Sequence, residues 1–263
     1  MVYLIPYNLT MSLNNSKKIN RLMHDWPPGT IYLSSWLKQI GISGQLTNRY
    51  KKSGWLESIG SGAVKRMGDE VGYQGALYAL QLQGHSSIHV GGKSALELQG
   101  RLHYLNLKAN SVSLFGEWTE YLPKWFSNMN WGVAIAHHRT SFLPSELELV
   151  DFEIKNFSIK ISSPLRAIFE CLYLAPNKQD LVECYELLES LNNVQPTQVQ
   201  TILESCESIK VKRLFLFMAE KIGPTWFKYL DLKGVNLGSG KRSIISNGHF
   251  DSKYLITIPK ELA

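Results

Sequence analysis

The stretch Ser43 to Arg66, SGQLTNRYKKSGWLESIGSGAVKR, constrains the fold more than any other, because it reads as a helix running directly into a β-hairpin with a glycine-rich tip. Ser43 is a good N-cap, since its hydroxyl can accept a hydrogen bond from a free N–H of the first turn, and Gly54 stands where a helix ends in a left-handed residue. Leu46 and Tyr50, four residues apart, share one helical face and point to a core. Gln45, Thr47, Asn48, Lys51 and Lys52 occupy much of the remaining surface and are expected to face outward. Trp55 to Ile59 gives a short strand, Gly60-Ser61-Gly62 the turn, and Ala63 to Met67 a return strand carrying Lys65 and Arg66.

Upstream, Asn15 or Ser16 can cap a helix in which Ile19, Leu22, Met23 and Trp26 recur at helical spacing, and Pro27-Pro28-Gly29 stops it. A second helix, capped by Thr30 or nearby, carries Leu33, Trp36, Leu37 and Ile40 and ends at Gly41. Only Gly41 and Ile42 separate it from Ser43, the tight Gly-containing connection of a helix-turn-helix. Three helices and a wing therefore account for residues 15–67. The competing reading is an ordinary helix and hairpin with a solvated basic face.

Charge distribution favours the first reading. Residues 1–67 hold nine Lys or Arg against Asp25 and Glu57, so this segment carries +7 of a net +6 and the remaining residues sum to −1. A small basic module on a near-neutral body is what phosphate binding by one part requires. In a winged helix-turn-helix, the first half of the recognition helix lies nearest the base edges, which singles out Gln45, Thr47 and Asn48 for reading double-stranded DNA, with Ser43 at the helix start. Lys38, Lys51 and Lys52 are better placed for phosphates, and Arg49 can do either or pack internally. Ser61, Lys65 and Arg66 would follow the backbone or enter the minor groove from the wing.

The rest of the chain is less legible. Gly68 to Gly72 is a plausible hinge, Tyr73 to Gln83 a helix, Ile88 to Val90 a strand, and Ser94 to Gln99 a second helix. His103 to Leu107 and Val112 to Phe115 look like paired strands around Asn110-Ser111, followed by a helical turn at Leu122 to Phe126 and a strand at Trp131 to Ala136. From Pro164, helix periodicity dominates through Ala167–Leu174, Leu181–Leu191, Val199–Cys206 and Val211–Lys221, before strand-like alternation returns from Val235 to Pro259. The fold class is α+β: residues 1–14 an arm, 15–67 the winged helix-turn-helix, and 68–263 a larger mixed, helix-rich domain with a sub-boundary near 160. The arm is either ordered or sequence preceding an alternative start at Met11.

Composition excludes several classes. No run of about 18 apolar residues is long enough to span a bilayer, and the apolar start lacks the basic region and cleavage site of a signal peptide. Cys171, Cys184 and Cys206 match neither a disulfide framework nor a zinc pattern, which suits a reducing cytoplasm. Gly238-Ser239-Gly240-Lys241-Arg242-Ser243 invites a phosphate-loop reading but has Val235 where the template needs Gly and Arg242 in place of the Ser or Thr that holds magnesium. Asp151 and Glu153 share one face of a strand but lack an identifiable acidic partner, and the adjacent His137 and His138 have poor metal-ligand spacing. No catalytic residue, cofactor or metal is expected. The alternatives to a DNA-binding regulator are a nucleotide- or nucleic-acid-processing enzyme with a DNA-binding arm, working through Asp151, Glu153 and the Gly238 turn, and a ligand-responsive transcription factor.

Several stretches in one order, RYKKSGWLESIGSGAVKRMGDEV, GALYALQLQ, HVGGKSALELQGRLHYL, SSPLRAIFECL, SIKVKRLFLFMAEK, LGSGKR and SKYLITIP, resemble the AbiEi antitoxin family over nearly the whole chain after about residue 15. The resemblance implies a bacterial, cytoplasmic type IV toxin–antitoxin or abortive-infection system of the kind used in phage defence. Its antitoxin joins an N-terminal winged helix to a larger C-terminal domain and represses its own operon by binding inverted repeats in the promoter. It further implies that the C-terminal domain counters a nucleotidyltransferase-like toxin without a stable complex, and that the protein is monomeric in solution and cooperative on DNA. Lys210, Lys212, Arg213, Lys241, Arg242 and Lys253 are carried over as candidate basic positions for antitoxicity.

Overall fold

The computed structural model describes residues 15–101, 111–191 and 194–263. The described chain forms two compact units. The first contains residues through Ser86 together with Tyr121–Gly132 and Glu153–Ile159, and the second contains Ser87–Glu120, Val133–Phe152 and Lys160–Ala263. The arm and the strand expected at His103 to Leu107 lie outside the described residues.

The first unit begins with α1 (Asn15–Asp25), β1 (Tyr32–Leu33), α2 (Ser34–Gln39), α3 (Gly44–Lys52), β2 (Leu56–Ser58) and β3 (Ala63–Arg66). The strands form an antiparallel sheet in the order β1-β3-β2, with Tyr32 opposite Val64 and Glu57 opposite Lys65. The apolar positions expected from the sequence do close one core, from Ile19, Leu22 and Trp26 through Leu37, Leu46 and Tyr50 to Leu56 and Val64. Trp26 stacks on Tyr32 with ring centroids 3.7 Å apart and planes 6° from parallel. The second helix starts later than expected. Leu33 and Tyr32 are drawn into β1 by pairing with β3, and Thr30 donates its hydroxyl proton to the Pro27 carbonyl at 2.7 Å instead of capping the helix.

The first unit also extends past the boundary expected at residue 67. It takes in α4 (Tyr73–Tyr78), whose continuation at Ala79–Gln83 widens into a π-helix. That turn brings the Gln83 amide onto the backbone beside β1: its Oε1 accepts from Leu33 N at 2.8 Å and its Nε2 donates to the Ile31 carbonyl at 3.1 Å. A buried backbone segment with free polar groups needs such partners, so Gln83 is tied to β1 by its own hydrogen bonds.

A five-stranded sheet ordered β6-β5-β4-β8-β7 lies mostly in the second unit; its strands are β4 (His89–Val90), β5 (Ser111–Gly116), β6 (Ala134–Arg139), β7 (Leu149–Ile154) and β8 (Phe157–Ser162), of which the stretch Glu153–Ile159 is counted with the first unit. Strand β4 is antiparallel to β5 and parallel to β8, and β5 is parallel to β6. Helix α5 (Gly92–Leu98) follows β4, and the short α6 (Lys124–Ser127) belongs to the first unit. After β8 come α7 (Pro164–Leu174), α8 (Leu181–Glu189), α9 (Pro196–Ser205) and α10 (Ile209–Ile222), each end within three residues of the periodic stretch that announces it. Ser163 and Ser208 cap α7 and α10 through their hydroxyls. A small sheet ordered β10-β11-β9 ends the chain, made by β9 (Arg242–Ser243), β10 (His249–Asp251) and β11 (Ile256–Ile258).

At the centre of the second unit lies a buried polar cluster. Glu170 of α7 is fully buried and accepts from the Gly92 amide at 2.7 Å, the Ser162 hydroxyl at 2.7 Å and Arg166 Nε at 2.8 Å, while His89 Nε2 lies 3.1 Å away. Arg166 also donates to the Pro144 carbonyl at 2.8 Å. Gly91 carries no side chain because a Cβ there would fall on the Glu170 carboxylate and on the Phe115 ring. The cluster explains why GG follows β4 and why Ser162, Arg166 and Glu170 recur at their spacing.

Candidate nucleic-acid interface

Helix α3 starts at the Ser43 cap, whose hydroxyl accepts from Leu46 N at 3.3 Å, and ends before Gly54 at φ +73°. Leu46 and Tyr50 are buried as the spacing requires. Burial raises the Tyr50 pKa, partly offset by the Arg49 charge, so the hydroxyl stays neutral. Gln45, Asn48, Arg49 and Lys52 are exposed at helical spacing i, i+3, i+4 and i+7, which aligns them as one stripe. Lys51 is half-buried at its margin, and Lys38 of α2 and Ser61 of the hairpin turn are exposed. Among the described residues none of Lys38, Arg49, Lys51 or Lys52 joins an ion pair, so their charge is free for phosphate.

Three residues expected on this surface are placed elsewhere. Thr47 is only 6% exposed, and its hydroxyl donates back to the Ser43 carbonyl at 3.1 Å, so it packs beneath the stripe instead of reading bases. Arg66 turns inward across Trp26, 6.0 Å from the ring centroid, and donates to the carbonyls of Met23 and Trp26. A guanidinium on the last carbonyls of α1 acts as a C-cap, where the helix leaves acceptors unpaired and its dipole favours positive charge. Lys65 bridges to Glu57 at 3.2 Å and donates to the Asp69 carbonyl at 2.8 Å. The sequence shows the charge of these residues, but only the pairing of β3 with β1 and β2 shows what they reach. Arg66→Ala should therefore lower stability by about 2 kcal/mol, the scale of charged hydrogen bonds lost from partly buried carbonyls, and Lys52→Ala should leave it unchanged; urea unfolding of both variants checks this.

In the second unit the basic candidates also divide. Arg213 is 1% exposed and Lys212 4%, both inside the buried face of α10, which removes them from any partner-binding surface. The Arg213 guanidinium is engaged by main-chain carbonyls, from Leu237 at 2.8 Å to Gly240 at 2.7 Å. Lys210 donates to the carbonyls of Tyr173 and Ala175 at 2.7 and 2.6 Å; burial, which the neighbouring Cys184 only partly opposes, lowers its pKa. Lys253 pairs with Glu220. Lys241 and Arg242 remain exposed, with no ion pair among the described residues.

The other groups weighed from the sequence have structural surroundings. Asp151 is exposed and bonded to Lys160 at 3.0 Å, and Glu153 is exposed. Neighbours His137 and His138 alternate on β6; burial lowers both pKa values, with the Lys178 charge bringing His138 to about 4. The three cysteines are buried free thiols, and burial pushes Cys206 up to about 11, so no reactive thiolate is present at neutral pH. Among the described residues no three His, Cys, Asp or Glu side chains gather as metal ligands, and no helix is long and apolar enough to cross a membrane.

Comparison with known proteins places the molecule. Residues 15–107 match the family model described as transcriptional regulator, AbiEi antitoxin N-terminal domain, and residues 109–259 match that described as transcriptional regulator, AbiEi antitoxin, type IV TA system. The chain belongs to the AbiEi antitoxin family. It is thus a transcriptional regulator and antitoxin of a type IV toxin–antitoxin system, with an α+β fold that joins an N-terminal domain to a larger C-terminal one. No curated protein matches it. The crystal structure of the RV2827C protein from Mycobacterium tuberculosis shares the fold, with a TM-score of 0.55 at 11% identity over 92% of this chain and 89% of that one. Within the AbiEi antitoxin, the two family models meet near residue 108, beyond the first unit's continuous part, which ends at Ser86.

Proposed function

We propose that this AbiEi antitoxin uses α1 to β3 as a winged helix-turn-helix, binds inverted repeats of double-stranded DNA in its own promoter, and thereby represses its operon. The observation that carries the reading is the exposed stripe of Gln45, Asn48, Arg49 and Lys52 on a helix whose opposite face is anchored by Leu46 and Tyr50. A helix fits the major groove, and amide side chains can make paired hydrogen bonds to adenine there. Gln45 and Asn48 read bases; Lys38, Arg49, Lys51 and Lys52 hold phosphates, with Ser61 at the hairpin turn approaching the backbone. The protein is a monomer in solution and binds its half-sites cooperatively.

Gel shifts on the upstream inverted repeat test this, and equal affinity for scrambled DNA would refute operator recognition. Asn48→Ala should cost about 1–3 kcal/mol on the operator only, whereas Lys52→Ala should weaken operator and random DNA alike. With Lys65 and Arg66 engaged internally, four of the module's six basic candidates, Lys38, Arg49, Lys51 and Lys52, remain for phosphates. The log–log salt slope should then be about −3.6 per module.

The second unit, in this proposal, neutralises a nucleotidyltransferase-like toxin without a stable complex, from a cytoplasmic protein that carries no catalysis of its own. Lys241 and Arg242 are its exposed basic candidates, while Lys253 is held in its ion pair with Glu220. Coexpression with the neighbouring toxin separates the two activities: the Asn48→Ala/Lys52→Ala protein should still protect cells while repression is lost. Loss of both together would show that protection needs DNA binding.

A further inference from the structure

The turn from Leu237 to Arg242 wraps its carbonyls around one buried cation. Arg213 reaches it from α10, donating through Nε to Leu237 O at 2.8 Å, through Nη1 to Gly240 O at 2.7 Å and through Nη2 to Gly238 O at 3.2 Å. Two left-handed glycines, Gly238 at φ +63° and Gly240 at φ +78°, allow successive carbonyls to converge in this way. With the carbonyls taken, the turn is left with donors. The amides of Ser239, Gly240 and Lys241 make no hydrogen bond to other described residues, and all three residues are exposed. Successive free amides in a glycine turn form a concavity that favours an anion.

The adjoining sheet supplies the rest. Ile256 and Ile258 of β11 are buried, so Thr257 between them lies on the opposite face. Its cross-strand partners on that face are Ser243 of β9 and Phe250 of β10. Phe250 is 37% exposed, and the Lys241 ammonium sits 5.0 Å from its ring centroid. Arg242 pairs with Ile256 and so lies on the other face, where its charge acts on Arg213. Free amides, the Lys241 ammonium without a carboxylate partner and an accessible aromatic ring thus lie together at one end of the sheet.

We infer that this surface binds single-stranded nucleic acid, a backbone phosphate seating on the Ser239–Lys241 amides with the Lys241 ammonium, and an unstacked base lying against Phe250. A phosphodiester fits better than a nucleoside triphosphate, because the turn leads into the strand β9 and has no hydroxyl at position 242 for magnesium. A single strand fits better than a duplex, because an aromatic platform takes a base only when that base is free to leave its stack. The inference does not depend on α3 and stands whether or not the first unit reads an operator.

Fluorescence anisotropy of the full chain with labelled single strands of about 12 nucleotides, RNA and DNA in parallel, tests it. Lys241→Ala should make the log–log salt slope shallower by about 0.7, the value for one phosphate on a single strand. Phe250→Leu, which keeps apolar volume, should weaken single-strand binding by about fivefold or more. Both variants should bind the operator duplex normally, and Asn48→Ala/Lys52→Ala should bind single strands normally; a stronger response to RNA or to DNA identifies the natural strand. No single-strand binding, unchanged binding in both second-unit variants, or loss of it in the α3 variant would each overturn the proposal. So would release by inorganic phosphate with no dependence on Phe250.

Discussion

Glu170→Ala is expected to cost about 3–5 kcal/mol of folding stability, the scale for breaking a buried ion pair from one side. The carboxylate is fully buried and serves the Arg166 guanidinium, the His89 ring, the Ser162 hydroxyl and the Gly92 amide together. Removing it leaves a buried cation and several donors without an acceptor, whereas Arg166 still holds the Pro144 carbonyl. Burial by itself would push the Glu170 pKa up, but the His89 hydrogen bond, the Arg166 and His89 charges and the Ser162 hydrogen bond outweigh it and bring the carboxyl from 4.5 to about 2. A depressed carboxyl stabilises the fold above its unfolded value and loses that contribution as pH falls towards its folded value. The contribution of Glu170 should therefore be complete above pH 4.5 and disappear on approach to pH 2. Urea unfolding across that range checks this: the wild-type protein should lose stability as the pH drops, and the Glu170→Gln variant, lacking the titrating group, should lose less.

Arg213→Ala should be the second large effect. Four main-chain carbonyls, Leu237, Gly238, Gly240 and Leu255, receive its guanidinium protons. A hydrogen bond to a charged group contributes about 1.5–3 kcal/mol and unpaired buried acceptors are costly, so losing the hub should remove about 3 kcal/mol or more and loosen the β9 to β11 sheet. Loss of toxin protection in this variant should appear together with a lowered melting temperature, whereas Lys241→Ala should leave the melting temperature unchanged. A stable, well-folded Arg213→Ala protein that fails to protect would restore Arg213 as a contact residue and contradict its structural assignment.

These two arginines show where reading charge from a sequence stops. Arg213 and Arg66 count towards net charge as fully as Arg49 and Lys52 do, and nothing in their immediate neighbours separates them. The division comes from distant acceptors: Arg66 meets carbonyls 40 and 43 positions away, and Arg213 meets carbonyls from 24 to 42 positions away. Thr47 is different. Position 47 follows the buried Leu46 and precedes the buried Tyr50 by three, so helical geometry already tilts it towards the core.

The buried cluster around Glu170 was less legible still. Its members come from β4, the start of α5, the end of β8 and α7, and sequence spacing relates only Arg166 to Glu170, one turn apart. The single local trace is Gly91-Gly92 after β4, a place where the backbone must pass close to something.

By itself the sequence determined the local elements of the first unit: the Ser43 cap, the Leu46 and Tyr50 face, the glycine at 54 and the hairpin that follows. It also determined the helical run from α7 to α10, because amphipathic spacing and capping act within one or two turns. Tertiary structure alone decided that Tyr32 and Leu33 form a strand, that the π-turn at Gln83 belongs to the first unit, and that five of the twelve basic candidates, Lys65, Arg66, Lys210, Lys212 and Arg213, turn inward. The physical reason is range. Caps and helical periodicity depend on neighbours a few residues away, whereas strand pairing and the acceptors of a buried cation are supplied by parts of the chain that meet only once it has folded.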